Sequence, residues 1–174
     1  DNTDRGIVLV TQSGDNNDST TFQDDDDSVI THTQSGNRNT ADTDQGSEDS
    51  ISTITQAGDD NTATVVQGDV SDDQISTITQ NGDRNTATVV RQGSDVLGPA
   101  DDNNVSTITQ DGNDNLGSIE QVAENTTHML TQSGNDNSST TLLGDDTSNA
   151  SPLPTAITAT ILQSGDRNVS TITG

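Results

Sequence analysis

One spacing, Gln-x-Gly-x-x-Asn, recurs seven times and constrains the fold of this chain more than any other feature. It falls at Gln12/Gly14/Asn17, Gln34/Gly36/Asn39, Gln56/Gly58/Asn61, Gln80/Gly82/Asn85, Gln110/Gly112/Asn115, Gln132/Gly134/Asn137 and Gln163/Gly165/Asn168. Successive glutamines stand 22, 22, 24, 30, 22 and 31 residues apart, so a period near 22 is stretched only by insertions. A fixed period of about 20 to 50 residues marks stacked supersecondary units, none of which can bury a core alone.

Composition by itself points elsewhere. Of the 174 residues 24% are hydrophobic, Phe22 is the only aromatic and the net charge is −24, values that ordinarily mark disorder. A disordered acidic segment has no reason to return Gln, Gly and Asn in register seven times, so the chain reads as an ordered array. Its apolar content cannot fill a conventional core, and the fold must draw on backbone and side-chain hydrogen bonds. There is no cysteine for a disulfide or a thiolate metal site. No apolar run approaches the roughly 20 residues that cross a bilayer, so membrane insertion is not expected. The acidity is mostly Asp, and it disfavours nucleic acid and anionic lipid as partners. The first residue, Asp1 rather than Met, suggests a mature product whose signal peptide has been removed.

A single repeat, Ser50 to Gln67, has two arms rich in Thr, Ile and Val around Gly58-Asp59-Asp60-Asn61. The arms favour strands. The centre has turn chemistry, with Gly and Asn as the residues that tolerate positive φ. With a side-chain period of two, Ser50, Ser52, Ile54 and Gln56 share a face with Asn61, Ala63, Val65 and Gln67, and this face is assigned inward. Two residues before each motif Gln the column reads Val10, His32, Ile54, Ile78, Ile108, Leu130 and Ile161; four after each Asn it reads Thr21, Thr43, Val65, Val89, Ile119, Thr141 and Ile172. These columns predict a thin apolar spine between two sheets. Stacked Gln and Asn would form amide ladders as in cross-β assemblies, with the turn glycines Gly14, Gly36, Gly58, Gly82, Gly112, Gly134 and Gly165 keeping the corners tight. The expected fold is all-β: a β-solenoid of about seven strand-turn-strand rungs in two packed parallel sheets, stacking into a cross-β fibre. The rungs are placed near 6–23, 28–45, 50–67, 74–92, 104–121, 126–143 and 157–174 as a single array. Segments 93–103 and 144–156, the latter with Pro152 and Pro154, read as loop insertions.

These residues resemble the curlin repeat of curli-type fibre subunits, Ser-x5-Gln-x-Gly-x2-Asn-x-Ala-x3-Gln. Ser50, Gln56, Gly58, Asn61, Ala63 and Gln67 match it throughout, as do Ser28, Gln34, Gly36, Asn39, Ala41 and Gln45. Elsewhere Gln74 and Asn104 replace the leading Ser, Gln92 falls one residue late behind Arg91, and Leu143 and Gly174 stand where the closing Gln should be. The resemblance covers nearly the whole chain. It implies a secreted subunit that polymerises with itself into an extracellular functional-amyloid fibre, at a cell surface or in a biofilm matrix, with a nucleating subunit and secretion machinery as partners. Fewer aromatics and far more negative charge set this chain apart from the usual curlin subunit.

Other candidates are weaker. Asp24, Asp25, Asp26 and Asp27 could offer oxygen ligands to calcium, but a solvated acidic corner is the simpler reading and no EF-hand spacing is present. The position before each motif Asn runs Asn16, Arg38, Asp60, Arg84, Asp114, Asp136 and Arg167, whose alternation would pair charges on adjacent rungs. His32 and His128 share no metal-ligand spacing. Sequons at Asn104, Asn125 and Asn149 lie in or beside expected loops, where glycosylation is possible. No nucleophile elbow, P-loop or HExxH motif occurs, and no enzymatic activity is expected. Two rival functions remain: ice binding by outward Thr-x-Thr rows (Thr31/Thr33, Thr53/Thr55, Thr77/Thr79, Thr107/Thr109), and an acidic calcium-binding adhesin stalk.

Overall fold

The computed structural model describes residues 5–24, 27–68, 73–91, 103–121, 125–143 and 157–174. They form fourteen strands: β1 (Ile7–Ser13), β2 (Asp18–Gln23), β3 (Val29–Ser35), β4 (Thr40–Gln45), β5 (Ile51–Ala57), β6 (Thr62–Gln67), β7 (Ile75–Asn81), β8 (Thr86–Arg91), β9 (Val105–Asp111), β10 (Leu116–Gln121), β11 (Thr126–Ser133), β12 (Ser138–Leu143), β13 (Ile157–Ser164) and β14 (Val169–Thr173). Odd-numbered strands make one seven-stranded parallel sheet and even-numbered strands the other, each in chain order. Every rung is an arch with one arm in each sheet. The fold is therefore all-β and solenoid-like.

Register is unbroken from coil to coil. Gln12 pairs with Gln34, Gln34 with Gln56, Gln56 with Gln80, Gln80 with Gln110, Gln110 with Gln132 and Gln132 with Gln163. Spacings of 24, 30 and 31 residues leave that alignment unchanged. A parallel strand slipped by one residue would turn its amides and spine residues to solvent and its outward threonines into the core, so the two-residue period enforces the pairing. Segments 93–102 and 144–156 lie outside the described residues, as does Gln92. Arg91 takes the register position of the closing Gln, between Gln67 and Gln121.

The inward face is the amide face. In the third rung Ser50, Ser52, Ile54, Gln56, Asn61, Ala63, Val65 and Gln67 are all buried, while Ile51 and Thr62 on the reverse are exposed. The spine forms from Ile54, Ile78, Ile108 and Leu130 of one sheet against Val65, Val89 and Ile119 of the other, all fully buried. Each such side chain contributes about 1.5–3 kcal/mol. At the first described rung the spine residue Val10 is 42% exposed, because no described rung lies beneath it.

The turns correct one expectation. Positive φ falls on the seven motif glycines, from +90° at Gly165 to +115° at Gly82 and Gly112, with Gly134 at +108°. It falls next on the residue before the motif Asn, such as Arg38, Asp60 and Arg84 (+57° to +59°), rather than on Asn. Asn instead begins the second arm, which frees its side chain to point inward. A second left-handed corner precedes the inward leading residue, at Asp27, Asp49, Asp73 and Asn125 (+52° to +57°). Asp and Asn tolerate that conformation better than most residues.

Candidate functional site

The chemistry of this molecule is concentrated in columns of side chains running along the solenoid axis. In the glutamine column Nε2 of each rung donates to Oε1 of the next, at 2.7, 2.9, 2.9, 2.9, 2.9 and 2.8 Å from Gln12 through Gln163. The second amide proton crosses the core to a backbone carbonyl of the opposite sheet, as Gln56 Nε2 does to Thr40 O at 2.9 Å. One side chain thus ties together three rungs and two sheets.

The asparagine column runs with the reverse polarity. Asn61 donates through its backbone N and its Nδ2 to Asn39 Oδ1 (3.0 Å each), and Nδ2 also reaches Gly82 O of the next rung at 2.7 Å. Asn85 repeats both donations onto Asn61 Oδ1 at 3.0 and 3.1 Å, and the pattern continues through Asn17, Asn115, Asn137 and Asn168.

The glycine column corrects the sequence reading, which gave these residues a role only within their own corners. Gly112 and Gly134 show the larger role, because each is a junction between rungs. Gly112 N donates to Asn81 O and Gly134 N to Asp111 O, both at 2.9 Å. Their carbonyls accept from the asparagine column, Gly112 O from Asn85 Nδ2 at 2.8 Å and Gly134 O from Asn115 Nδ2 at 2.9 Å. The backbones approach so closely that a Cβ on Gly112 would collide with Gly134 O and one on Gly134 with Gly165 O; the same holds of Gly14 under Gly36, Gly36 under Gly58, Gly58 under Gly82 and Gly82 under Gly112. Glycine is required there by the neighbouring coil as well as by its own φ.

A further column escaped the sequence reading. The residue after the motif Gly accepts through Oδ1 the backbone N–H of its counterpart one rung earlier: Asp15 N to Asn37, Asn37 N to Asp59, Asp59 N to Asp83 and onward to Asp166, at 2.8–3.0 Å. Its only sequence signal is an Asp or Asn at each of the seven positions, which in one repeat reads as ordinary turn chemistry.

The charged corner pairs as the alternation implied. Arg38 grips Asp60 with two bonds of 2.6 Å and Arg84 grips Asp114 with two of 2.7 Å. These bonds hold both aspartates below the usual carboxylate range, against an opposing desolvation. Asp27 of the acidic run is bound by Arg5 at 2.8 Å, Asp24 is exposed, and Asp25 and Asp26 lie outside the described residues. Among the described residues no group of three or more His, Asp or Glu is placed to hold a metal.

Both histidines are buried. His32 Nδ1 lies 2.7 Å from Ser19 Oγ and its Nε2 lies 2.8 Å from Thr43 Oγ1, so it links two rungs. His128 has neither ring nitrogen partnered, and Thr141 Oγ1 of the same rung is likewise unpaired. Burial lowers both imidazoles to about 4. Asn104, a sequon residue expected near a loop, is buried, and its Oδ1 accepts from Thr126 N and Oγ1 at 2.8 Å, a placement that closes it to glycosylation.

The two ends of the stack complement each other. At the seventh rung Gln163 Nε2 has one proton left after Ser138 O, Asp166 N points onward, and Asn168 Oδ1 is the last acceptor of its column. At the first rung Gln12 Oε1, Asp15 Oδ1 and Asn17 N are the matching acceptor, acceptor and donor of the same three columns. A Cβ on Gly165 would meet nothing closer than Asn168 Nδ2 at 3.9 Å, unlike the other six motif glycines, each of which lies under a carbonyl. Apolar matching accompanies this: Val8 (47% exposed) and Val10 of the first rung hold the column positions of Ala159 and Ile161 in the seventh. Neither a protein-family model, nor a curated protein, nor a solved structure matches this chain.

Proposed function

We propose that this chain is the structural subunit of an extracellular functional-amyloid fibre, growing by end-to-end addition of solenoids with the seventh rung of one copy against the first rung of the next. The supporting observation is the end complementarity: every unfilled donor or acceptor in the three side-chain ladders at one end has its counterpart at the other, with the polarity of the internal bonds. A contact between two different surfaces of one molecule that does not close into a ring generates an open filament, and unpaired sheet edges are templates for further pairing. The resemblance of the repeats to curlin supports a role in biofilm matrix or surface adhesion, with a nucleating subunit and secretion machinery as further partners.

Electron microscopy and fibre diffraction of the purified protein over time, in low salt, in high salt and with calcium, test this reading. The expected outcome is unbranched fibres with an axial reflection at about 4.8 Å, forming faster as salt screens the net charge of −24. Protein that stays monomeric under every ionic condition would refute it.

Ice binding is the second reading, and one observation favours it: Thr33, Thr55, Thr79, Thr109 and Thr131 align in register along one outer row. Monomers that stop ice recrystallisation without forming fibres would establish it in place of the first.

A further inference from the structure

The outer face of the odd-numbered sheet is almost free of charge on a molecule that carries 29 acidic residues. Four side chains of each strand point outward there, and Asp111 is the only acidic or basic residue among them in all seven strands. The outer face of the even-numbered sheet, with fewer outward positions, carries Asp18, Asp42, Asp44 and Glu120. The neutral face has an aliphatic row at the start of the strands, in which Ile51 and Ile75 are each 40% exposed, and two rows of threonine run beside it on one side. Leu9, Met129 and Leu162 replace threonine near the two ends of those rows, and all three are exposed. A face evolved for water or ice has no use for these aliphatic substitutions, whereas a dry contact does.

We infer that two copies of this chain pair laterally, odd-numbered sheet against odd-numbered sheet, so that the fibre is built from two solenoids side by side. The pairing rests on the end-to-end assembly proposed above, which repeats the same face along the whole fibre. Seven strands at about 4.8 Å and seven residues at about 3.3 Å give a patch of about 34 by 23 Å, on the order of 800 Å² per copy. That is close to the roughly 800 Å² per partner of a stable protein interface. Short threonine and isoleucine side chains in register suit a face-to-face packing of sheets about 10 Å apart. The paired corner charges Arg38–Asp60 and Arg84–Asp114 sit at the turns, outside this patch. Repulsion between two chains of charge −24 remains, and it makes pairing strongest in high salt, where the Debye length falls to about 3 Å at 1 M.

The test is mass per unit length by unstained scanning transmission microscopy on fibres grown in 1 M NaCl (about a 3 Å Debye length), with sedimentation velocity of the soluble protein in the same buffer. Wild-type fibres should carry two chains per seven-rung axial repeat. The variant Thr55→Glu/Thr79→Glu should halve that value while keeping the axial reflection, and Thr64→Glu/Thr88→Glu on the opposite sheet should leave it at two. One chain per repeat in the wild type, which needs no variant to fold, overturns the pairing. So does an unchanged value for Thr55→Glu/Thr79→Glu, or halving by Thr64→Glu/Thr88→Glu alone. If no fibres form, the end-to-end reading fails separately, and sedimentation still decides: dimers abolished by Thr55→Glu/Thr79→Glu support the face, and monomers throughout, including monomers that adhere to ice, overturn it.

Discussion

At the scale of single residues, stability rests on side chains that satisfy backbone groups of the neighbouring rungs. Asn61→Ala removes the acceptor of Asn85 N and Nδ2 and the donor to Gly82 O. Each buried group left without a partner costs about 1–3 kcal/mol, so a loss of at least about 2 kcal/mol is expected in urea or thermal unfolding. His128 tests the opposite situation, a buried polar ring that nothing satisfies. Its folded pKa is lowered to about 4 from 6.5 by desolvation, so between those values the unfolded chain takes up a proton that the folded chain does not. The cost of keeping the ring neutral is therefore absent above about pH 6.5 and grows as pH falls toward 4, so stability is lost over that range. His128→Ser, which installs the residue that Ser106 supplies at the paired position, should raise the melting temperature. Its advantage over the wild type should grow from pH 7 to pH 5. An advantage that stays constant across that range would contradict the assignment.

At the scale of strands and turns, alternation sets what each arm buries and stacking sets everything else. The residue before each motif Asn illustrates the limit of local reading. Arg38, Arg84 and Arg167 have no preference for positive φ, yet all adopt it, because Gly must bend the arch and Asn must already be extended to reach its column. Conversely, that Gln56 shares a face with Ile54 and Asn61 one with Val65, all four buried, is legible from the two-residue period of each arm. Register is insensitive to the inserts: β7 and β9 align as β3 and β5 do, although their glutamines are 30 rather than 22 residues apart. Loop closure varies slowly with length, by about 0.6 kcal/mol per doubling. Removing eight residues from segment 93–102 should therefore change stability by less than about 1 kcal/mol and leave the circular dichroism spectrum intact. A cooperative loss of strand signal would show that the insert is a structural part of the rung.

At the scale of the whole molecule, the feature that bears on the proposed assembly is the uncovered face of the last described rung. Gly165 needs a glycine for its φ of +90° but has open space where the other six motif glycines meet a carbonyl. In the isolated chain Gly165→Ala incurs only the left-handed backbone cost of about 1–2 kcal/mol. Gly112→Ala adds a clash with Gly134 O and should unfold the central rungs. In a fibre Gly165 would lie beneath Gly14 of the next copy, so Gly165→Ala should fold as a monomer, fail to elongate and cap wild-type ends at substoichiometric amounts. Elongation at the wild-type rate, followed by dye fluorescence and microscopy, would exclude this end as the growth surface.

The seven-fold spacing, the two faces of each arm and the apolar spine were set by the sequence alone, because all three follow from the local backbone periods of strand and turn. Only the tertiary structure decided which way each ladder donates, that Asp59 and its counterparts cap the rung before them, that Gly112 and Gly134 join one coil to the next, that Arg38 and Arg84 each reach forward to an aspartate, and that the two ends match. Those properties depend on the sense in which one coil is laid on another. A hydrogen bond has a direction that residue identity does not encode until donor and acceptor are brought within about 3 Å of each other.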